Sequence, residues 1–202
     1  MEATRKLTVF AHYFTWFSSK NISGRWCHWN WTGKTPHNPD LLRDGKPDIA
    51  SIRTPVLGPY DSGDRVTQEQ HIKWAKESLI DAFTVDWYGP AEERIKYRDR
   101  IVDANFKNLL QTSADMDFKI CICYEEKILY EDENRGSSDR TRTEIGVRHF
   151  SQIKKYIESE SYYKIDGRPL IVIWGTHTIT PDVWSEIFKV VREFNPIILY
   201  SY

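Results

Sequence analysis

The sequence predicts an α/β protein built on a parallel sheet with crossover helices, of the (β/α) TIM-barrel type. Three observations carry that reading. Five short apolar runs alternate with four segments of helical periodicity, the pattern of βα units joined by right-handed crossovers. No glycine-rich turn follows the first run, so the other architecture this alternation allows, a doubly wound nucleotide-binding sheet, has no support. The first βα connection runs about fifty residues, and a loop that long in a compact domain is usually functional. In a barrel it lies on the C-terminal face, where active sites are built.

The elements follow in order. LTVFAHYF, about 7–14, reads as the first strand, and an aromatic-rich loop occupies about 15–65. Thr67 with Gln70 three residues on forms a capping box that opens a helix to about Leu79. AFTVDW (82–87) is the second strand, and Val102, Phe106 and Leu109 fall at helical spacing after it. FKICICY (118–124) is the third strand. The polar tract EDENRGSSDR leads into a helix whose stripe is Gly146, Phe150, Ile153 and Ile157. PLIVIWG (169–175) is the fourth strand. Thr180 as N-cap and Pro181 at the first helical position begin the last helix, with Val183, Ile187, Val190, Val191 and Phe194 on its face. PIILYSY (196–202) is the fifth strand. A barrel normally takes about 250 residues, so residues 1–202 read as the N-terminal portion of one (β/α)8 domain, about five of its eight units. Its first and last strands would then be open edges, available for self-association.

Composition narrows the function. The chain has 202 residues, 28 Lys+Arg against 29 Asp+Glu, 40% hydrophobic and 28% charged residues. That balance excludes a disordered chain and gives no reason to expect a nucleic-acid partner. No apolar run is long enough for a membrane helix, and MEATRKL has no apolar segment of signal-peptide length behind it. The chain as given therefore reads as cytoplasmic, and as secretory or periplasmic if the N-terminus was trimmed. Of the three cysteines, Cys121 and Cys123 form a C-x-C on one strand face and Cys27 stands apart. No second Cys pair or His-x-His completes a zinc set, so they read as structural thiols and no metal or cofactor is expected. Asn21-Ile22-Ser23 and Asn30-Trp31-Thr32 match the N-glycosylation pattern, which matters only in a secreted eukaryotic chain.

Strand alternation sorts the candidate site residues. On the second strand the bulky Phe83, Val85 and Trp87 should meet the helices, which turns Ala82, Thr84 and Asp86 inward. On the third, Ile120, Ile122 and Tyr124 share the helix side, leaving Cys121, Cys123 and Glu125 inward. Adjacent strands lie about 4.8 Å apart, so Asp86 and Glu125 could approach the ~5–5.5 Å of a retaining glycosidase pair. Such strand-end carboxylates also cap helices or pair with Lys or Arg. Glu126, on the other parity, reads as a solvated or loop residue. Tyr13, with Val9 and Ala11, is expected to face the pore beside Asp86, and His12 the helices. Trp26, His28 and Trp29 in RWCHW are either a sugar-stacking platform or a small core that pins the loop. Asp61 and Asp64 in YDSGD are either substrate contacts or turn and N-cap residues. His71 and Trp74 are read as packing.

The string HYFTWF, GRWCHW, GPYDSGD, DAFTVDWYGP, KICICYEE and PLIVIW, in this order and spacing, resembles glycoside hydrolase family 99, the endo-α-mannosidases and endo-α-mannanases. The resemblance spans nearly the whole chain. It implies a (β/α)8 barrel that cleaves internal α-mannosidic bonds with retention through a 1,2-anhydro sugar, with no metal or organic cofactor and a glycan as partner. It also implies that Tyr13, His28, Trp87 and Glu125, and with them Asp61 and Asp86, line the sugar site. The family's catalytic glutamates sit in an Asn-Glu-Trp-His-Glu-like segment that these 202 residues do not contain. The expectation is therefore a hydrolase-type chain that is inactive by itself, with Asp86 and Glu125 binding substrate. A non-catalytic carbohydrate-binding or degenerate barrel protein is the alternative.

Overall fold

A computed structural model describes residues 7–31, 36–93, 97–130, 139–175 and 179–201. Thr32 of the second glycosylation sequon and most of the acidic tract after Tyr130 lie outside the described residues. In chain order the elements are β1 (Phe10–Tyr13), α1 (Lys20–Ser23), β2 (Leu42–Arg43), β3 (Lys46–Pro47), α2 (Arg65–Glu77), β4 (Ala82–Trp87), α3 (Tyr97–Asp115), β5 (Lys119–Glu125), α4 (Asp139–Tyr156), β6 (Lys164–Ile165), β7 (Arg168–Trp174), α5 (Pro181–Val191) and β8 (Ile197–Ser201). Strand β1 pairs with β4, β4 with β5, β5 with β7 and β7 with β8, all parallel. Each new strand thus adds to the same edge in chain order, as barrel strands do; a doubly wound sheet would reverse direction. Strand β6 is a two-residue antiparallel addition to the start of β7.

One face of the sheet is a conventional core. Phe83, Val85 and Trp87 of β4, Ile120, Ile122 and Tyr124 of β5, and Ile171 and Ile173 of β7 pack with Phe106 and Leu109 of α3, Phe150 and Ile153 of α4, and Ile187 of α5. Each such side chain contributes roughly 1.5–3 kcal/mol by leaving water. The opposite face, by alternation, carries Thr84, Asp86, Cys121, Cys123, Glu125, Val172 and Trp174. This is the face that a (β/α) barrel turns toward its pore, and Trp174 there is 42% exposed.

Two sequence expectations change here. Helix α2 begins at Arg65, because Asp64 is its N-cap and accepts from the Thr67 backbone N–H at 3.1 Å; Thr67 lies inside the first turn. On β1 the faces are exchanged. Tyr13 lies on the helix side, stacked on Phe83 at 4.6 Å with its hydroxyl 2.8 Å from His71 Nδ1 of α2. His12 takes the pore side. The alternation of β1 could not decide this, because both of its faces carry an aromatic ring and neither is uniformly apolar.

His71 is held below its ordinary pKa by burial. A folded-state value below the unfolded one means that the unfolded chain takes the proton first, so stability is lost as pH falls from about 6.5. His12 shifts in the same direction, also through burial. The midpoint of urea unfolding should therefore drop between pH 7.5 and 5.5. In His71→Gln the drop should be smaller; an unchanged drop would place the titration elsewhere.

Candidate active site

The site is built on the C-terminal ends of β4 and β5, with β1 and its loop as one wall. In the β4–β5 register Asp86 stands opposite Cys123, and Glu125 projects from the same face two residues further on. Asp86 is 1% exposed. Burial, then the nearby charge of Glu125, raise its pKa to about 8, while the Tyr88 side chain and Lys127 offset part of the rise. Neither oxygen of Asp86 has a donor at full hydrogen-bonding geometry. Glu125 is also buried, and Lys127 Nζ lies 3.0 Å from its Oε2. The two carboxyl groups therefore differ in kind. Burial pushes Asp86 toward its neutral form, in which it can donate a proton or a hydrogen bond, and Glu125 stands beside the Lys127 cation.

The wall beside them is a column of rings. His12 stacks on Phe14 at 4.5 Å, Phe14 on Trp16 at 4.3 Å, and Trp16 on His28 at 4.5 Å with their planes 9° apart. Residues 12, 14 and 16 share one parity, so the strand's alternation simply continues into the loop. His28 reaches the column through a positive φ of 61°. Trp174 closes the lower end, edge-on to His12 at 5.9 Å. Phe14, Trp16, Trp174 and Lys127 escaped the sequence reading. The first two share the parity of His12, which the sequence reading had turned toward the helices, so they emerge only once the face of β1 is known.

Several expected site residues do other work. The indole of Trp87 is fully buried on the helix side and donates to Asp103 Oδ1 of α3 at 2.8 Å, so it does not reach the pore. Tyr13 is likewise on the helix side, as above. The Asp61 carboxylate is used within the loop: Oδ2 accepts from Ser19 N at 2.8 Å and Ser23 Oγ at 2.7 Å, and Oδ1 from Gly63 N at 2.9 Å. A carboxylate with three internal donors is a staple for the loop. Trp29 is 2% exposed, stacks on Phe17 and donates to the Tyr60 carbonyl at 2.7 Å; it belongs to the loop's own small core. Trp26 donates to Asp40 Oδ1 at 3.0 Å at the loop surface. Of the RWCHW segment, only His28 joins the ring column. Glu126 is neither solvated nor in the pore. It is fully buried, accepts from the Ile179 N–H at 2.9 Å and from the Tyr200 hydroxyl, and so ties β5 to the start of α5 and to β8.

Among the described residues no helix is long and apolar enough to cross a membrane. Two neighbouring carboxyl groups and stacked rings at the C-terminal edge of parallel strands are suited to polyhydroxylated ligands: carboxyls bind hydroxyls and ring faces cover C–H groups.

Comparison with known proteins gives the family. The chain is 25% identical over 203 residues to the glycoprotein endo-alpha-1,2-mannosidase of Rattus norvegicus, an alignment covering 93% of this chain and 41% of that protein. It is 24% identical over 193 residues to a glycoprotein endo-alpha-1,2-mannosidase-like protein of Homo sapiens, covering 89% and 39%. The chain thus spans about 40% of the length of the curated relatives it matches. Among solved structures, the GH99 endo-alpha-mannosidase of Bacteroides thetaiotaomicron superposes with a TM-score of 0.68 at 21% identity, over 96% of this chain and 55% of that one. The fold is shared. The profile of Glycosyl hydrolase family 99 matches residues 4–195, almost the entire sequence, and the chain therefore belongs to that family.

Proposed function

We propose that the chain forms the first five βα units of a (β/α)8 barrel and binds α-mannose-containing glycans against its pore face, its role within a retaining, endo-acting glycosidase. The observation that carries this reading is the closeness of the Asp86 and Glu125 carboxyl groups on one face of adjacent strand ends, with the Trp16–His28 stack on the loop after β1. The names of the relatives supply the mannoside. Asp86 and Glu125 contact sugar hydroxyls, and His28 and Trp174 bound the cleft. The acid and base of the cleavage are glutamates of a later strand, so the 202-residue chain by itself binds glycan without hydrolysing it. No nucleic acid or organic cofactor takes part.

Calorimetric titration with α-mannobiose and α-mannotriose tests the proposal. Binding should be measurable, weakened about tenfold or more in Glu125→Gln and Trp174→Ala, and unchanged in Trp26→Ala; loss of one aromatic or charged contact typically costs upwards of about 1.4 kcal/mol. Heat from neither sugar would overturn it. Hydrolysis of an aryl α-mannoside by this chain would reassign catalysis to Asp86 as acid and Glu125 as its partner, a use their unlike environments permit.

A further inference from the structure

We infer that the pore face carries a divalent-metal site of the zinc type, with His12, Asp86 and Cys123 as its three protein ligands. One ligand atom from each of these side chains lies within 4.8 Å of the other two. The ligand atoms around a four-coordinate zinc lie roughly 3.3–3.8 Å apart, given Zn–N and Zn–O near 2.0–2.1 Å and Zn–S near 2.3 Å. A rotamer adjustment of about an ångström therefore closes the set. The three ligands come from three neighbouring strands: β1, β4 and β5. Asp86 and Cys123 are direct partners across the β4–β5 pair, and His12 stands one residue pair lower on β1, opposite Thr84.

A second observation points to a ligand here. Asp86 is 1% exposed, on the ligand-bearing face, and neither of its oxygens has a donor at full hydrogen-bonding geometry. The Tyr88 side chain and Lys127 offset only part of the burial, and a cation would supply the partner a buried carboxylate lacks. The geometry also provides access. Asp86 and Cys123 are buried, but His12 is exposed, so an ion reaches the two inner ligands past a ring that can swing. Phe14 and Trp174 limit that swing by stacking on the His12 ring and meeting it edge-on.

A thiol, an imidazole and one carboxylate favour zinc or cobalt over magnesium or calcium, which prefer all-oxygen sets. Three protein ligands leave a fourth position for water or a ligand hydroxyl, on the open side of the pore. Bound there, the ion would tie β1 to β4 and β5. The cysteine spacing gave no hint of this site because residues 12, 86 and 123 are distant in sequence and meet only through strand order. The inference does not depend on the glycan reading.

Cobalt(II) substitution tests it directly on the 202-residue chain after removal of metals with a chelator. One equivalent of cobalt per chain should produce a near-ultraviolet thiolate-to-cobalt charge-transfer band and visible bands of tetrahedral intensity, with zinc displacing it. The charge-transfer band should vanish in Cys123→Ser and persist in Cys121→Ser and Cys27→Ser. His12→Ala should weaken zinc binding by at least about tenfold, since even the loss of an outer-sphere partner costs that much. Zinc, but not magnesium, should raise the melting temperature in a concentration-dependent way. No charge-transfer band, a band that survives Cys123→Ser, or unaltered affinity in His12→Ala would overturn the assignment. Should Cys123→Ser fail to fold, His12→Ala decides the matter, because His12 is the exposed member of the three.

Discussion

Asp103→Ala should cost this protein roughly 3–5 kcal/mol of folding stability, the range for removing one partner from a buried charged network. Asp103 is fully buried on α3 and holds four donors: Trp87 Nε1 at 2.8 Å, the Tyr156 hydroxyl at 2.6 Å, the Ala91 backbone N–H at 3.1 Å and Lys107 Nζ at 2.7 Å. Those donors belong to β4, α4, the turn after β4 and α3 itself. Alanine would leave the indole and phenol N–H and O–H buried without an acceptor. Asp103→Asn keeps one acceptor oxygen but meets Lys107 with an amide, so it should fall between parent and alanine. Urea unfolding of the three proteins measures the order. An Asp103→Ala variant within about 1 kcal/mol of the parent would mean that water replaces the carboxylate, and that the network is less sealed than its burial implies.

Gly89→Ala is expected to be nearly as damaging, by roughly 2–5 kcal/mol from the sum of backbone strain and overpacking. Gly89 follows the DWY of β4 with φ at +91°, a conformation that L side chains rarely adopt, and an added Cβ would collide with the ring of His149. That ring is buried between Trp87 and Tyr124, and its Nδ1 is 2.9 Å from the Tyr124 hydroxyl, so it has nowhere to retreat. Gly58→Ala is the control. Its φ is +70° but nothing lies within 4 Å of the added carbon, so only the strain of about 1–2 kcal/mol applies. Equal losses in the two variants, read as shifts in melting temperature, would show that contact with His149 is not the cause. Because Gly89 terminates the strand that presents Asp86, Gly89→Ala should also weaken glycan binding in any protein that still folds.

The two cases show why the DWYG segment was readable only in part. Alternation was sufficient to send Asp86 inward and Trp87 outward, since Phe83, Val85 and Trp87 are all bulky and Ala82 and Thr84 are small. The family resemblance implied a sugar-site role for Trp87, whereas its indole lies on the helix side, bonded to Asp103. On β1 the signal pointed the wrong way: Phe10, His12 and Phe14 are the bulkier set, yet His12 and Phe14 stack on the face opposite the helices while Tyr13 packs on Phe83. The hydroxyl contact of Tyr13 with His71, a residue on α2, fixed the orientation. Asp61 illustrates a third limit. An acidic residue in a loop looks the same in sequence whether its acceptors meet substrate or, as here, three donors from the same loop.

By itself the sequence determined the parallel α/β class, the chain order of the sheet's five main strands, the inward face of β4 and β5, and the family. All of these depend on periodicity and on order along the chain, which short-range sterics and the burial of apolar stripes make legible. Only the tertiary structure decided the face of β1, the ring column from His12 to His28, the division of the long loop between its own core and the pore, and the meeting of His12, Asp86 and Cys123. Each of these needs atoms from three or more elements at ångström separations. Such contacts are set by strand register and by the packing of specific side chains, and neither is encoded in the spacing of residues along the chain.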